Sequence, residues 1–330
     1  MSGKTKKIVK VLAIVLASVA GFFALLFLGI FSVDRIAASA FYKRAEKQFA
    51  IPGTNSGFVG QGLDYLEDED TFLACGYSAK KGKASMVYYI DSKGKAKLTL
   101  LKNADGSNYT GHTGGIAHYR EYVYITGDDG CDVFLLADFV GGKGESRMLG
   151  TIKSPMDPAY CNVHDGKFYM GSFYRAGNYE TEDWQRVTTP AGDENKSVIV
   201  VYDIDDSATD TYYVSPALKA VYSTTELVQG MTFIGDQIVL STSYAIASSY
   251  LKFYSTADLK EDTVTLPGAE EAAPRYYLDG SCLTRDVKAP PMSEEIVYLN
   301  GKIYIMTESA SNKYVFGKFT GATSLYAYKV

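Results

Sequence analysis

"EEIVYLNGKIYIMTES" (Glu294–Ser309) is the stretch whose reading decides the fold. Apolar, β-favouring residues flank Asn300-Gly301, a pair that closes a two-residue hairpin because both residues accept positive φ. The same hairpin occurs four more times: "QGLDYLEDEDTFLACGY" from Gln61, "GGIAHYREYVYITGD" from Gly114, "AYCNVHDGKFYMGSFY" from Ala159 and "QGMTFIGDQIVLSTSY" from Gln229. A third strand follows each unit ("SMVYYID", "CDVFLLA", "SVIVVYDI", "SYLKFYS", "SLYAYKV"). A fourth follows the first four units ("KAKLTLL", "SRMLGTI", "TYYVS", "DTVTL"). Antiparallel units of four strands, repeated along the chain, are the signature of propeller blades. The reading is an all-β, five-bladed β-propeller. It becomes six-bladed if "RYYLDGSCLTRDV" from Arg275 hides a degenerate blade, and a β-sandwich with similar hairpins is the competing architecture.

The fifth unit lacks a fourth strand before Val330, and an unpaired edge is a liability. The segment around Phe49 to Ile51 is expected to supply it. Residues 34–50 also place Ile36, Phe41, Ala45 and Phe49 on one helical stripe, which reads as a short juxtamembrane helix or stalk.

Ahead of the repeats, Lys4, Lys6, Lys7 and Lys10 precede an uncharged apolar run from Val11 to Val33. That run is long enough to cross a bilayer as one helix. Ala38-Ser39-Ala40 fits a signal-peptidase site, but the run exceeds a usual signal core, so a signal-anchor is the preferred reading. Basic charge before the span points to a cytoplasmic tail and an external body. The organisation is therefore a basic tail (1–10), a transmembrane signal-anchor (11–33), a stalk and closing strand (34–56), and the propeller (57–330), in a single-pass protein of the cell membrane.

The chain of 330 residues has 27 tyrosines, 46% apolar residues and a net charge of −5. Without the four N-terminal lysines the charge is about −9, which argues against a nucleic-acid partner. Cys75, Cys131, Cys161 and Cys282 form no C-x-x-C pair. They are read either as two disulfides in one of three pairings or as buried free thiols.

In a propeller the innermost strands line a central channel, and their starts share one face with the loops between second and third strands. Aligned on their turns, the hairpins share a rim position held by Gln61, Gly114, Ala159, Gln229 and Glu294. His112 and Tyr160 lie close to the two small members. The loops add Tyr77, Asp128, Asp129, Tyr174, Arg175, Ser243, Tyr244, Lys313 and Tyr314. We expect ligand binding by Gln61, His112, Tyr160, Tyr174, Arg175, Gln229, Ser243, Tyr244 and Lys313. If the protein is an enzyme, Glu294, Glu295 and Glu308 are the candidate acids and bases, because close carboxyls raise one another's pKa. Oxygen donors of this kind suit calcium as a hard cation, although no cofactor is required. Zinc finds little support, since His112, His118 and His164 fall at different levels of their hairpins. The longest second-to-third loop, Arg175 to Lys196, carries Trp184, the one tryptophan, and is where a lid is expected. The chain has no G-x-S-x-G, H-E-x-x-H, phosphate loop or dinucleotide fingerprint.

The motifs "VGQGLDY", "TGHTGGI", "LVQGMTF", "STSY", "PPMSEE" and "TESASNKY", in order, resemble uncharacterised membrane-anchored or secreted bacterial β-propeller proteins. The resemblance runs from about Gly57 to the C-terminus and implies an external propeller without implying an activity. The architecture is more distantly similar to five-bladed glycoside hydrolases, which place single acids on separate blades; here Gly114 and Ala159 depart from that pattern. It is also similar to lactonase-type propellers with a channel metal, a role that Glu294, Asn162 and Asp64 would have to fill. The leading expectation is a propeller that binds an envelope saccharide, peptide or partner protein at its rim. A rim-carboxylate hydrolase, with calcium as a candidate cofactor, is the alternative.

Overall fold

Asn300 (φ 49°) and Gly301 (φ 78°) do adopt the left-handed backbone that a tight hairpin needs, and so do Asp165 and Gly166. A computed structural model describes residues 3–330 and assembles the hairpins into five blades of a propeller. Blade one contains Phe58–Leu66, Thr71–Ser78, Met86–Asp91 and Ala96–Lys102, from the axis outward. Blade two contains Ile116–Tyr119, Tyr122–Gly127, Gly130–Leu135 and Gly150–Lys153. Blade three contains Pro158–His164, Lys167–Ser172, Ser197–Ile204 and Val214–Thr224. Blade four contains Val228–Ile234, Gln237–Thr242, Ser249–Ser255 and Leu283–Ala289, and blade five Ser293–Leu299, Lys302–Thr307 and Ser324–Lys329.

The outer strand of blade five comes from the other end of the chain. Ala45–Ala50 pairs antiparallel with Ser324–Lys329, with Ala45 opposite Tyr328 and Ala50 opposite Ser324. Ring closure thus joins the two chain ends through backbone hydrogen bonds and removes an exposed edge.

Three details of the sequence reading are corrected. "DTVTL" is not the outer strand of blade four: Glu261–Val264 pairs with Ala273–Tyr277, which adds in parallel to the outer strand of blade three. The outer strand of blade four is Leu283–Ala289, so "RYYLDGSCLTRDV" is divided between two blades and forms no sixth. In "SRMLGTI", Gly150–Lys153 serves blade two, while Glu145–Arg147 extends blade one in parallel. All these segments have β propensity, and neighbouring edges in space, not order in the chain, decide which sheet receives them.

Strand alternation sends successive side chains to opposite blade faces, and five buried clusters fill the five gaps between blades. All four cysteines are buried and free.

Helix α1 (Gly3–Ala37) contains the apolar run and is the one helix, among the described residues, long and apolar enough to cross a membrane. The expected helical stripe through Phe49 does not form. The helix ends at Ala37, a short helix α2 (Ser39–Tyr42) follows, and the chain becomes the closing strand. Pairing with blade five wins over local helical periodicity. Phe41 of α2 is fully buried between blades four and five, stacked on Tyr328 with centroids 5.2 Å apart.

Candidate functional site

The inner strands of four blades break register at the rim. The shifts fall between Gly60 and Gly62, Pro158 and Tyr160, Val228 and Gly230, and Ser293 and Ile296. The bulged residues are Gln61, Ala159, Gln229 and the pair Glu294–Glu295. A bulge re-aims side chains at a strand end, so these residues leave the blade alternation and turn toward the axis region.

Just past the bulges, glycines let backbone meet backbone. A Cβ on Gly115 would sit 2.6 Å from both Tyr160 Cα and Cys161 N, and one on Gly230 would sit 2.5 Å from Glu295 Cα. Glu295 fills this tight ring. Its Oε2 accepts hydrogen bonds from the Leu63 N–H (2.8 Å) and the Ile116 N–H (3.0 Å), and its Oε1 accepts one from the Cys161 N–H (3.4 Å). One side chain of blade five therefore satisfies backbone donors of blades one, two and three. Burial pushes the Glu295 carboxyl pKa up, opposed by these three donors. Its polar capacity is spent inside the protein.

Glu294, one residue earlier, is enclosed at 2% exposure, and its Oε1 has no partner. Beside it, half-buried Glu308 accepts a hydrogen bond from Gln61 Nε2 at 3.0 Å. The Tyr314 hydroxyl is also bonded to Glu308 and lies 3.2 Å from the Tyr77 hydroxyl. Lys313 donates to the Tyr77 hydroxyl, and its Nζ stands 4.6 Å from the Tyr77 ring centre and 5.0 Å from that of Tyr314. His112 stacks on the Tyr77 ring with centroids 4.8 Å apart. Burial first, then Glu308 and Glu295, raises the Glu294 pKa well above the ordinary carboxyl range. Burial also raises Glu308, against the pull of Tyr314, Gln61 and Lys313. His112 keeps an exposed edge, yet burial of its ring in this cluster, with Lys313 nearby, lowers its pKa. The mouth over blades five, one and two thus holds two carboxyls with raised pKa values under an aromatic and cationic cover.

The other expected residues lie elsewhere. Tyr160 is fully buried, with its ring against Gly171 in the cluster between blades three and four. Tyr174 is buried, and the Arg186 guanidinium stands 5.3 Å from its ring centre. Ser243 is buried and bonded to Ser249 Oγ at 2.9 Å. Gln229 is half-buried at its bulge. Arg175 lies over the Tyr244 ring at 3.9 Å, a separate pair on blades three and four. Among the described residues no hydrogen bond or ring contact joins that pair to the mouth cluster.

The expected lid is tied down. Ser172 Oγ donates to Gln185 (2.7 Å), Thr181 Oγ1 donates to the Lys196 carbonyl (2.6 Å), and Trp184 packs on the cluster between blades two and three. Asp64 is engaged with His118 Nδ1 at 2.6 Å, and the Asn162 amide donates to the Met231 carbonyl at 3.4 Å. Both sit beyond the Glu295 plug, so neither converges with Glu294. Among the described residues no group of three His, Cys, Asp or Glu side chains is arranged to hold a metal ion. A cation at the mouth would have Glu294 and Glu308 as its carboxylate donors.

The backbone donors at Leu63, Ile116 and Cys161 escaped the sequence reading. Their one trace is the small residue near the start of several inner strands: Gly62, Gly115 and Gly230.

No family model and no curated protein matches the chain. Similar solved structures include the glutaminyl cyclase of Myxococcus xanthus (10% identity, 80% of this chain and 91% of that one, TM-score 0.43). A luciferin-regenerating enzyme is 8% identical over 86% of this chain and 94% of that one, with a TM-score of 0.42. A chain of a nidogen/laminin complex is 11% identical over 76% and 73%, with a TM-score of 0.39. These are distant structural neighbours and carry no activity over to this chain.

Proposed function

We propose that this chain is a membrane-anchored propeller, with its body outside the cell, that binds a hydroxyl-bearing envelope ligand at the mouth over blades five, one and two. An envelope saccharide is the leading candidate, ahead of a peptide or protein segment. The observation that carries this reading is the unpartnered, enclosed Oε1 of Glu294 beside Glu308. A buried polar atom left without a partner costs on the order of 1–3 kcal/mol, and a ligand hydroxyl that displaces the Tyr77–Tyr314–Lys313 cover would supply the missing hydrogen bond. The exposed edge of the His112 ring and the half-buried Tyr314 ring offer the stacking faces that sugar rings use.

The anchor is supported by how the end of α1 is built into the body. Tyr42 donates to Asp34 at 2.6 Å, the Arg35 guanidinium lies 3.6 Å from the Tyr42 ring centre, and Ala38 is buried. Cleavage after Ala40 would strip out these contacts.

The hydrolase reading is favoured by one feature: Glu294 and Glu308 both have raised pKa values, as a general acid needs. Glu295 would not take part, because its oxygens are held by three backbone donors.

The test is a thermal-shift screen of the full chain in detergent against peptidoglycan and teichoic-type saccharide fragments, peptides and calcium. A ligand of the native state must raise its melting temperature. A saccharide-dependent rise that Glu308→Gln and Lys313→Ala abolish supports binding, and saccharide cleavage lost in Glu294→Gln points to the hydrolase. No shift with any compound overturns both.

A further inference from the structure

Beyond a single spanning helix, the orientation of the propeller can be read from what α1 touches as it leaves. Moving up the helix, Arg35 reaches the Gly321 carbonyl and the Tyr326 hydroxyl at 3.5 and 3.4 Å. One turn further, Phe31 lies against Gly321, where an added Cβ would meet its ring at 2.8 Å. Another turn on, Phe27 meets Phe319 edge to face at 5.7 Å. Before that point, among the described residues, the apolar side chains of the helix are exposed apart from half-buried Leu26. Gly321 and Phe319 belong to the loop between second and third strands of blade five, which also carries Glu308 and Lys313. Helix α1 therefore leaves past the face that bears the mouth.

Length fixes where that face falls. At 1.5 Å per residue, the ~20 residues that cross a hydrocarbon core of ~30 Å, counted from the last lysine, Lys10, end near Ile30. Phe27 then lies at the exit boundary, and Phe319 in contact with it lies at the same depth.

The loops of blades four, five and one are suited to that depth, whereas those of blades two and three also carry exposed Asp128, Asp129, Glu180 and Glu182. Val315 and Phe316, in the short helix before Phe319, are 59% and 52% exposed, and the Phe316 and Phe319 rings are 5.9 Å apart. Ile246, in the corresponding loop of blade four, and Tyr179, in that of blade three, are each 57% exposed. The corresponding loop of blade one presents exposed Lys80, Lys81 and Lys83, and Lys313 is exposed beside them. Apolar tips with adjacent lysines form the pattern of a surface that sits in the headgroup layer.

We propose that the mouth-bearing face of the propeller docks on the bilayer crossed by α1, with Val315 and Phe316 inserted beside the helix and the lysines against anionic headgroups. The mouth then opens onto the headgroup layer, so its ligand is one held at the membrane surface. This rests on the reading of α1 as a membrane span.

The test uses the full chain in nanodiscs containing phosphatidylglycerol, with single nitroxide labels at Phe316→Cys, at Val19→Cys within the span, and at exposed Tyr298→Cys, at the end of the inner strand of blade five away from the mouth. The four native cysteines are buried, and an unmutated chain controls for their labelling. Collision with oxygen reports lipid, and collision with a water-soluble nickel chelate reports water. Docking predicts that the labels at positions 316 and 19 both favour oxygen by several-fold over the label at 298. A water-exposed label at 19 overturns the span itself. A lipid-exposed label at 19 with a water-exposed label at 316 keeps the span and overturns docking. A label at 316 shielded from both agents means that protein covers the patch, and this also overturns docking.

Discussion

Glu295 accepts hydrogen bonds from three blades, while Glu294, its neighbour in the chain, has an oxygen that accepts none. The bulge at the start of this strand separates the two roles by turning consecutive side chains into different surroundings. The consequence for Glu294 can be measured. Its pKa is raised in the folded state, so the native protein favours the protonated form relative to the unfolded chain. That contribution is complete below the unfolded value, near 4.5, and is lost as pH rises through the folded value. Gln cannot ionise. Glu294→Gln should therefore melt higher than the parent at pH 7–8, by ~2–4 °C for each kcal/mol recovered, and the gap should close as pH falls toward 4.5. A gap that does not change with pH would show that Glu294 is not a strained ionisable group.

Between residue and whole molecule, the telling element is α2 with the strand that follows it. Four residues of helix have no stability of their own. They hold because Phe41 inserts between blades four and five among Val287, Ile303, Tyr326 and Tyr328. This makes the segment after the apolar run a working part of the propeller and not a spacer. Phe41→Ala should cost about 3–5 kcal/mol in urea unfolding of the detergent-solubilised chain. A cost under about 1 kcal/mol would mean that the segment is only a tether. The strands Glu261–Val264 and Ala273–Tyr277 teach the same lesson from the other side. Their sequences read as strands, and strands they are, but both lie on the edge of blade three, where the first was expected in blade four and the second in the alternative sixth blade.

At the scale of the molecule, one carboxylate acts as a hub for the ring. Removing it in Glu295→Ala orphans three buried N–H groups, at about 1–3 kcal/mol each. Because those groups belong to three blades, the loss should lower the melting temperature in one transition rather than split it. Melting like that of the parent chain would remove the hub role. The number of blades, the tight hairpin turns, the supply of an outer strand from the N-terminal side and the apolar run were all legible in sequence, because each is set by short-range patterns: period-two alternation, Asn-Gly and Asp-Gly turns, and hydropathy. The rim alignment was legible too, since it depends on equal offsets from those turns. It placed Gln61 and Glu294 at one rim, where Glu308 joins them, whereas Tyr160, named for its closeness to Ala159, and Ser243, named from its loop, are enclosed by the fold. What only the tertiary structure decided is which carboxyl faces three backbone donors, which stays unpaired, and which face of the disc the helix leaves by. Those outcomes depend on strands far apart in the chain meeting within a few ångströms at one axis, and no local pattern encodes that distance.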